Sequence, residues 1–323
     1  MVDILLASYN GEPYIKEQIE SIIRQSYKNW RMIIHDDCSK DNTVQIVRDL
    51  ISEFDKKREN TECMNLARNI KITVNETPYG SAKGNFLGLL KEAQSDYVMF
   101  SDQDDIWHPD KIRKSVDRIR RAEKRYGKDT PLLIYTDLVV VDSKLKKISD
   151  SFIDYMKVPP KISLPRLLIQ NSVTGCTVIM NRALYSLLNK AKDTEKIVMH
   201  DHFAALIAGF MGKVLFLPEA TIDYRQHGDN SVGASNARSI VYLWKRFKRG
   251  KRQFKRDMDM AMVQTEYFYD LYANEISEEK NRELIQKFIM LRKQNKLRRV
   301  YYYVKYRVIK YGFIRAVMQL IWG

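Results

Sequence analysis

Four short apolar runs alternate with three helical patterns over roughly the first hundred residues, and this alternation narrows the fold more than any other feature of the chain. Ile4 to Ser8, Arg31 to Ile34, Ile70 to Val74 and Tyr97 to Phe100 read as strands. Between them, Ile15, Ile19, Ile22 and Ile23 share one helical face, as do Val44, Val47, Leu50 and Ile51, and then Phe86, Leu89, Leu90 and Ala93. A β-α-β-α-β-α-β order predicts an α/β fold with a parallel sheet and right-handed crossovers. In such sheets ligands bind beyond the carboxyl ends of the strands. Those ends carry Ser8-Tyr9-Asn10, His35-Asp36-Asp37-Cys38-Ser39 and Ser101-Asp102-Gln103-Asp104-Asp105, so three polar clusters are expected along one edge. No G-x-G-x-x-G follows the first strand, and Lys83 precedes Gly84 with no G-K-[ST]. Dinucleotide and P-loop folds are therefore excluded.

The third cluster packs three carboxylates into four residues. Like charges so close repel unless something positive sits among them, and a hard divalent cation suits that role. The plainer reading is that Asp104 and Asp105 turn the chain and cap a helix starting near Pro109. Similar alternatives hold elsewhere. Asp36-Asp37 can cap the helix after Ser39, Asp201 can start the helix beginning at His202, and His227 can be an ordinary loop residue. Trp107 can pack in the core or wall a pocket, and Lys83 can reach a phosphate or water. Cys38 and Cys176 read as small packing residues rather than nucleophiles.

Beyond residue 110 the pattern is less regular. Strands are expected at Leu132 to Thr136, after Asn171-Ser172-Val173-Thr174-Gly175-Cys176, and at Val214 to Leu217 and Ile222 to Tyr224; a helix is expected from Met199-His200-Asp201-His202 onward. Charge is uneven. From Arg238 onward there are 21 Lys and Arg against 8 Asp and Glu, which accounts for +13 of the +15 net charge. That stretch mixes cations with aromatics, as in Lys296-Leu297-Arg298-Arg299-Val300-Tyr301-Tyr302-Tyr303-Val304-Lys305. It suits amphipathic helices lying on an anionic membrane surface, or a helical subdomain with a solvated basic face. No nucleic-acid module is visible, and no nucleic-acid partner is expected. Three scattered cysteines point to a reducing compartment. With no basic leader and no apolar run of membrane-spanning length, a cytoplasmic protein, peripheral on the inner face of the cell membrane, is expected.

In this order, Ala7-Ser8-Tyr9-Asn10-Gly11-Glu12, His35-Asp36-Asp37-Cys38-Ser39, Ser101-Asp102-Gln103-Asp104-Asp105-Ile106-Trp107, Val173-Thr174-Gly175-Cys176, Met199-His200-Asp201 and Tyr224-Arg225-Gln226-His227-Gly228 resemble glycosyltransferase family 2. The similarity is greatest to bacterial rhamnosyltransferases of surface-polysaccharide assembly, and it covers roughly residues 1 to 235. It implies a GT-A fold: a catalytic domain over 1–236, with a nucleotide-sugar half at 1–110 and an acceptor half at 111–236. A helical basic region follows at 237–323. It further implies Ala7 and Tyr9 beside the nucleotide base, Asp37 accepting the base N–H with Asp36 beside it, and Asn10, Glu12, Lys83, Gln103 and Trp107 in the substrate-binding set. Asp102-Gln103-Asp104 matches the D-x-D motif, with Asp102 nearer the ribose and Asp104 on a divalent metal, Mg2+ or Mn2+. His227 matches a late histidine near metal or diphosphate, and Asp201 the general base of an inverting transfer. The implied donor is dTDP-L-rhamnose and the implied acceptor a polyprenyl-linked glycan. A UDP-hexose or UDP-N-acetylhexosamine donor, or a non-catalytic nucleotide- or glycan-binding membrane scaffold, are the alternatives.

Overall fold

The computed structural model describes residues 1–56, 69–227 and 240–323, with side chains from residue 250 in the last segment. Residues 55 to 69, a polar stretch that reads from sequence as a loop, fall mostly outside these residues. So do Gly228 of the last motif, the expected boundary between 236 and 237, and the side chains of the basic aromatic run around Trp244.

The strands are β1 (Val2–Ser8), β2 (Trp30–Asp36), β3 (Ile70–Val74), β4 (Tyr97–Ser101), β5 (Ile106–Trp107), β6 (Leu132–Asp142), β7 (Lys147–Ser149), β8 (Ile179–Asn181) and β9 (Lys213–Gln226). They form one sheet in the order β3-β2-β1-β4-β8-β6-β9-β5, with β7 on the edge of β6. β1, β2, β3 and β4 run parallel, as alternation with helices requires; β8 is antiparallel to both β4 and β6, and β6 pairs parallel with β9. The two short strands expected near 214 and 222 are one long strand, β9, with an irregular register against β6 around Asp137.

The helices are α1 (Ile15–Ile23), α2 (Thr43–Lys56), α3 (Ala82–Leu90), α4 (Lys111–Tyr126), α5 (Phe152–Met156), α6 (Leu164–Leu167), α7 (Arg182–Leu188), α8 (His200–Met211), α9 (Ile240–Tyr272), α10 (Glu279–Met290), α11 (Lys296–Lys305) and α12 (Phe313–Trp322). α9 breaks at Gly250, whose φ of +77° is open to glycine at little cost. The strands are apolar on both faces because helices cover both. Ile4 and Leu6 face one core with Met32, Ile34 and Met99, while Leu5 faces the other with Ile33, Val98 and Phe100.

That second core also takes in Met258, Phe268, Tyr272, Ile276, Ile285 and Phe288 from α9, the loop after it and α10. The helices after residue 240 therefore pack into the body rather than trailing from it, as the subdomain alternative anticipated. No helix among the described residues is long and apolar enough to cross a membrane.

Candidate active site

The loops after β1 and β2 are built by hydrogen bonds reaching across the sheet edge. Asp36 is fully buried; it accepts from the Ser8 hydroxyl at 2.9 Å, the Ser39 hydroxyl at 2.6 Å and the Ser39 N–H at 2.8 Å. Asp37 accepts from Asn75 at 2.9 Å and from the Tyr79 and Gly80 N–H groups at 2.7 and 2.9 Å. Both carboxylates thus shape loops. Glu12 likewise accepts from the Asn42 amide and N–H at the start of α2. Asn10, at a φ of +48°, donates its N–H to Ser39 and accepts from the Lys40 N–H. Tyr9 stands 51% exposed at the rim, and Ala7 lies half-buried below it.

Beyond β4, the Gln103 side chain pairs with the Tyr9 backbone, accepting its N–H at 2.9 Å and donating to its carbonyl at 3.0 Å. A β-carbon on Gly11 would lie 2.3 Å from Gln103 Oε1, so a side chain there would displace this amide from the Tyr9 backbone. The Gln103 pair joins the first and third clusters. Asp104 is 9% exposed, and its Oδ2 lies 2.7 Å from His227 Nε2. The His227 ring is held by stacking on Tyr14 at 4.7 Å. Arg225, two residues earlier on β9, donates Nε to the Asp104 carbonyl at 3.0 Å and forms an ion pair with Glu17 of α1. Asp102 is half-buried; loss of water, then the like charges of Asp104 and Asp201, push its carboxyl up to about 7.

Asp201 enters from the opposite wall, in the first turn of α8, accepting from the His202 N–H at 2.6 Å. Burial pushes it up to about 6, against the downward pull of hydrogen bonds from the His202 and Gly175 N–H groups. Gly175 leaves room for the His200 ring: a β-carbon there would lie 3.1 Å from His200 Nε2, and at an ordinary 3.5 Å from Asp201 Oδ2. α8 is held from behind, where His202 Nε2 meets the Leu167 carbonyl and Nδ1 meets Gln264 of α9, whose Oε1 also accepts the Val198 N–H. Burial holds both flanking histidines neutral, His200 down to about 3 and His202 down to about 4.

Among the described residues, two groups of ligating atoms involve the loop after β4. The Asp104 carboxylate and His227 imidazole meet at 2.7 Å; the carboxylate oxygens suit Mg2+ or Mn2+, whereas an imidazole nitrogen is the less usual ligand for these hard ions. Asp102, Asp105 and Cys176 also place ligating atoms within 4.8 Å of one another. That second group fits a hard cation poorly. Cys176 supplies a soft thiol, and the buried Lys111 ammonium acts on both Asp105 and Cys176.

Several expected contacts lie elsewhere. Trp107 is 2% exposed and belongs to the core, so packing, not a pocket wall, is its place. Lys83 donates to the Ile197 carbonyl at 2.7 Å, tying α3 to the segment before α8 rather than pointing at a phosphate. Asp105 caps nothing: it is fully buried, and the residue preceding α4 is Asp110, which makes no capping bond of its own. Arg225, Tyr14, Glu17 and Lys111 were not anticipated as parts of the site. Only Arg225 left a trace, standing two residues before His227 in a quoted motif.

Residues 3–130 match the family model described as Glycosyl transferase family 2. The chain is 29% identical over 241 residues to the dTDP-rhamnosyl transferase RfbG of Shigella flexneri, covering 71% of this chain and 74% of that protein. It is 30% identical over 185 residues to the UDP-Glc:alpha-D-GlcNAc-diphosphoundecaprenol beta-1,3-glucosyltransferase WfgD of Escherichia coli, covering 57% of this chain and 61% of that one. Among solved structures, S. aureus TarS 1–349 in complex with UDP superposes with a TM-score of 0.52 at 16% identity, over 99% of this chain and 89% of that one. At that identity the superposition speaks for the fold alone, and the fold is GT-A.

Proposed function

For a chain whose residues 3–130 form a glycosyl transferase family 2 domain, and which is therefore a glycosyltransferase, we propose an inverting transfer with Asp201 as the general base. The observation carrying this reading is that the adjacent residues Gly175 and Cys176 stand against both carboxylates: a β-carbon on Gly175 would lie 3.5 Å from Asp201 Oδ2, and the Cys176 sulfur and an Asp102 carboxylate oxygen lie within 4.8 Å of each other. Donor-side and acceptor-side carboxylates thus share one cleft. Asp201 takes the proton of the acceptor hydroxyl, the hydroxyl oxygen bonds to the anomeric carbon, and the bond to the nucleoside diphosphate breaks. A single displacement inverts that carbon.

Asp104 and His227 would hold a divalent cation, which supplies charge neutralisation for the departing diphosphate. Asp102 lies on the donor side of this pair. Tyr9, exposed at the rim with Ala7 beneath it, is the ring placed to stack on a base.

The donor is dTDP-L-rhamnose and the acceptor a polyprenyl-linked glycan of bacterial polysaccharide assembly. The names of the Shigella and Escherichia relatives support these choices. The second of those names equally supports a UDP-sugar, which is the alternative donor. A panel of dTDP-, UDP- and GDP-sugars with Mn2+ decides between them, and turnover with UDP-glucose but not with dTDP-rhamnose rejects the rhamnosyl assignment.

The partner beneath the acceptor is an anionic membrane surface on the cytoplasmic side. From Leu291 to Gly323 there are nine Lys and Arg and no Asp or Glu. Over the same stretch Leu297 is 82% and Phe313 84% exposed, alongside Tyr301, Val304 and Ile321. Exposed apolar side chains among cations, of which Arg292 is paired with Glu266 of α9, suit anionic lipid headgroups.

A further inference from the structure

Beneath the acidic loop lies a cation that the proposed reaction does not touch. Lys111 opens α4, is fully buried, and its Nζ has no hydrogen-bond partner. Removing an ammonium from water is costly, and a positive charge in the first turn of a helix opposes the helix dipole. Neither effect is answered by a direct ion pair. The Trp107 ring lies 4.7 Å from the charge.

The polar atoms around it share its predicament. Asp105 is fully buried; its Oδ1 receives the Arg225 N–H at 3.4 Å, and its Oδ2 has no partner. Trp107 Nε1 and Ser115 Oγ, the latter one turn along α4 from Lys111, also lack partners. Buried polar atoms are nearly always satisfied by protein or by ordered water, so four orphans on the acidic loop, β5 and α4 point to a shared solvation site. Burial draws the Lys111 ammonium down to about 8, with Cys176 and Asp105 acting in the opposite direction.

We propose that Lys111 is a positioning residue whose buried ammonium, bridged to Asp105 Oδ2 by ordered water, anchors the floor of the acidic loop and so holds Asp102 and Asp104 toward the cleft. The loop gathers three carboxylates within four residues. From above it meets His227 on Asp104 and Arg225 on the Asp104 carbonyl. Lys111 supplies the matching charge from below, where no nucleotide-sugar or metal needs to reach. The idea rests on the reading of this cleft as the transferase site, but the pair itself is tested without substrate or metal.

The test is a double-mutant cycle in the full chain with Lys111→Met, Asp105→Asn and the double variant, followed by thermal unfolding and amide hydrogen exchange. Each single change is expected to lower the unfolding midpoint, and the double variant to melt no lower than the worse single. In folded Lys111→Met, exchange over residues 101–107 should rise at least tenfold, while α10 stays at the wild-type rate. Additive destabilisation, or Lys111→Met with an unchanged midpoint, overturns the pairing. An unchanged exchange rate over 101–107 overturns the positioning role. Should Lys111→Met fail to fold, recovery of folding in the double variant supports the pair, and equal failure of both rejects it. None of these outcomes depends on whether Asp104 binds a metal, which an Asp104 substitution decides separately.

Discussion

Two acidic clusters end the two parallel strands that flank β1, and they do opposite things. After β2, Asp36 and Asp37 together receive six hydrogen bonds from hydroxyl, amide and backbone donors. They are satisfied, and they tie loops together. After β4, Asp102, Asp104 and Asp105 crowd one another with few donors. Burial and mutual repulsion raise the Asp102 and Asp105 carboxyls, and one Asp105 oxygen has no partner. A carboxylate supplied with donors builds structure, whereas one short of them is left to act on something that arrives.

The largest effect that would sharpen this contrast belongs to the base facing the donor-poor cluster. Asp201→Asn should lower transfer by about 10²- to 10⁴-fold, measured as turnover with donor and acceptor, while nucleotide binding stays close to wild type. Loss of binding as well would make Asp201 structural and remove the proposed base. Asp104→Ala should cost about 10²- to 10³-fold in turnover, the scale of a lost electrostatic stabiliser, and should abolish metal dependence. Full activity in this variant would dismiss the metal site.

Asp36→Ala should behave differently. Removing a buried, triply bonded carboxylate orphans its donors and should destabilise the fold by about 3 kcal/mol, read as a lower unfolding midpoint, with turnover per folded molecule nearly intact at permissive temperature. A stable but inactive Asp36→Ala would collapse the distinction between the two clusters.

The pH dependence is smaller. Asp201 is raised to about 6 from an unfolded value of 3.8, so the folded state binds more protons between these limits. Stability should therefore decline as pH rises from about 4 to about 6, while turnover climbs through about pH 6 as the base ionises. A rate flat across that window contradicts base catalysis by Asp201. The smallest effect is expected far from the clusters. Replacing Leu297 or Phe313 by Ser removes about 1.5 kcal/mol of apolar transfer, roughly a tenfold loss of binding to anionic vesicles in a flotation assay. No change would remove the membrane surface from the partners.

How legible these features were in the sequence depends on how far each residue reaches. The strand ends and helix faces rest on local periodicity, and β1 to β4 fall where the alternation puts them. Asp104, His227 and Asp201 were named from motifs, and the fold brings Asp104 and His227 into contact. Gln103, Lys83 and Trp107 read differently because their partners are remote or three-dimensional. Gln103 binds the backbone of Tyr9, 94 residues earlier, and Lys83 meets Ile197, 114 residues later. Trp107 is buried by the short pairing of β5 with β9. The helices beyond residue 240 looked adhesive because their charge is legible, yet their buried faces were not: Gln264 bonds to Val198 and His202 and thereby supports the helix carrying Asp201.

The sequence alone determined the class of sheet, the edge where chemistry gathers and the identity of its carboxylates, because those follow from periodicity of two and 3.6 and from residue type. Only the tertiary structure decided which carboxylates find donors. Donor supply is a matter of which backbone N–H groups and hydroxyls the loops bring within about 3 Å, and no spacing records it. Asp36 and Asp105 look alike on the page as strand-end aspartates. One is satisfied by Ser8 and Ser39, and the other is buried with one carboxylate oxygen lacking a partner.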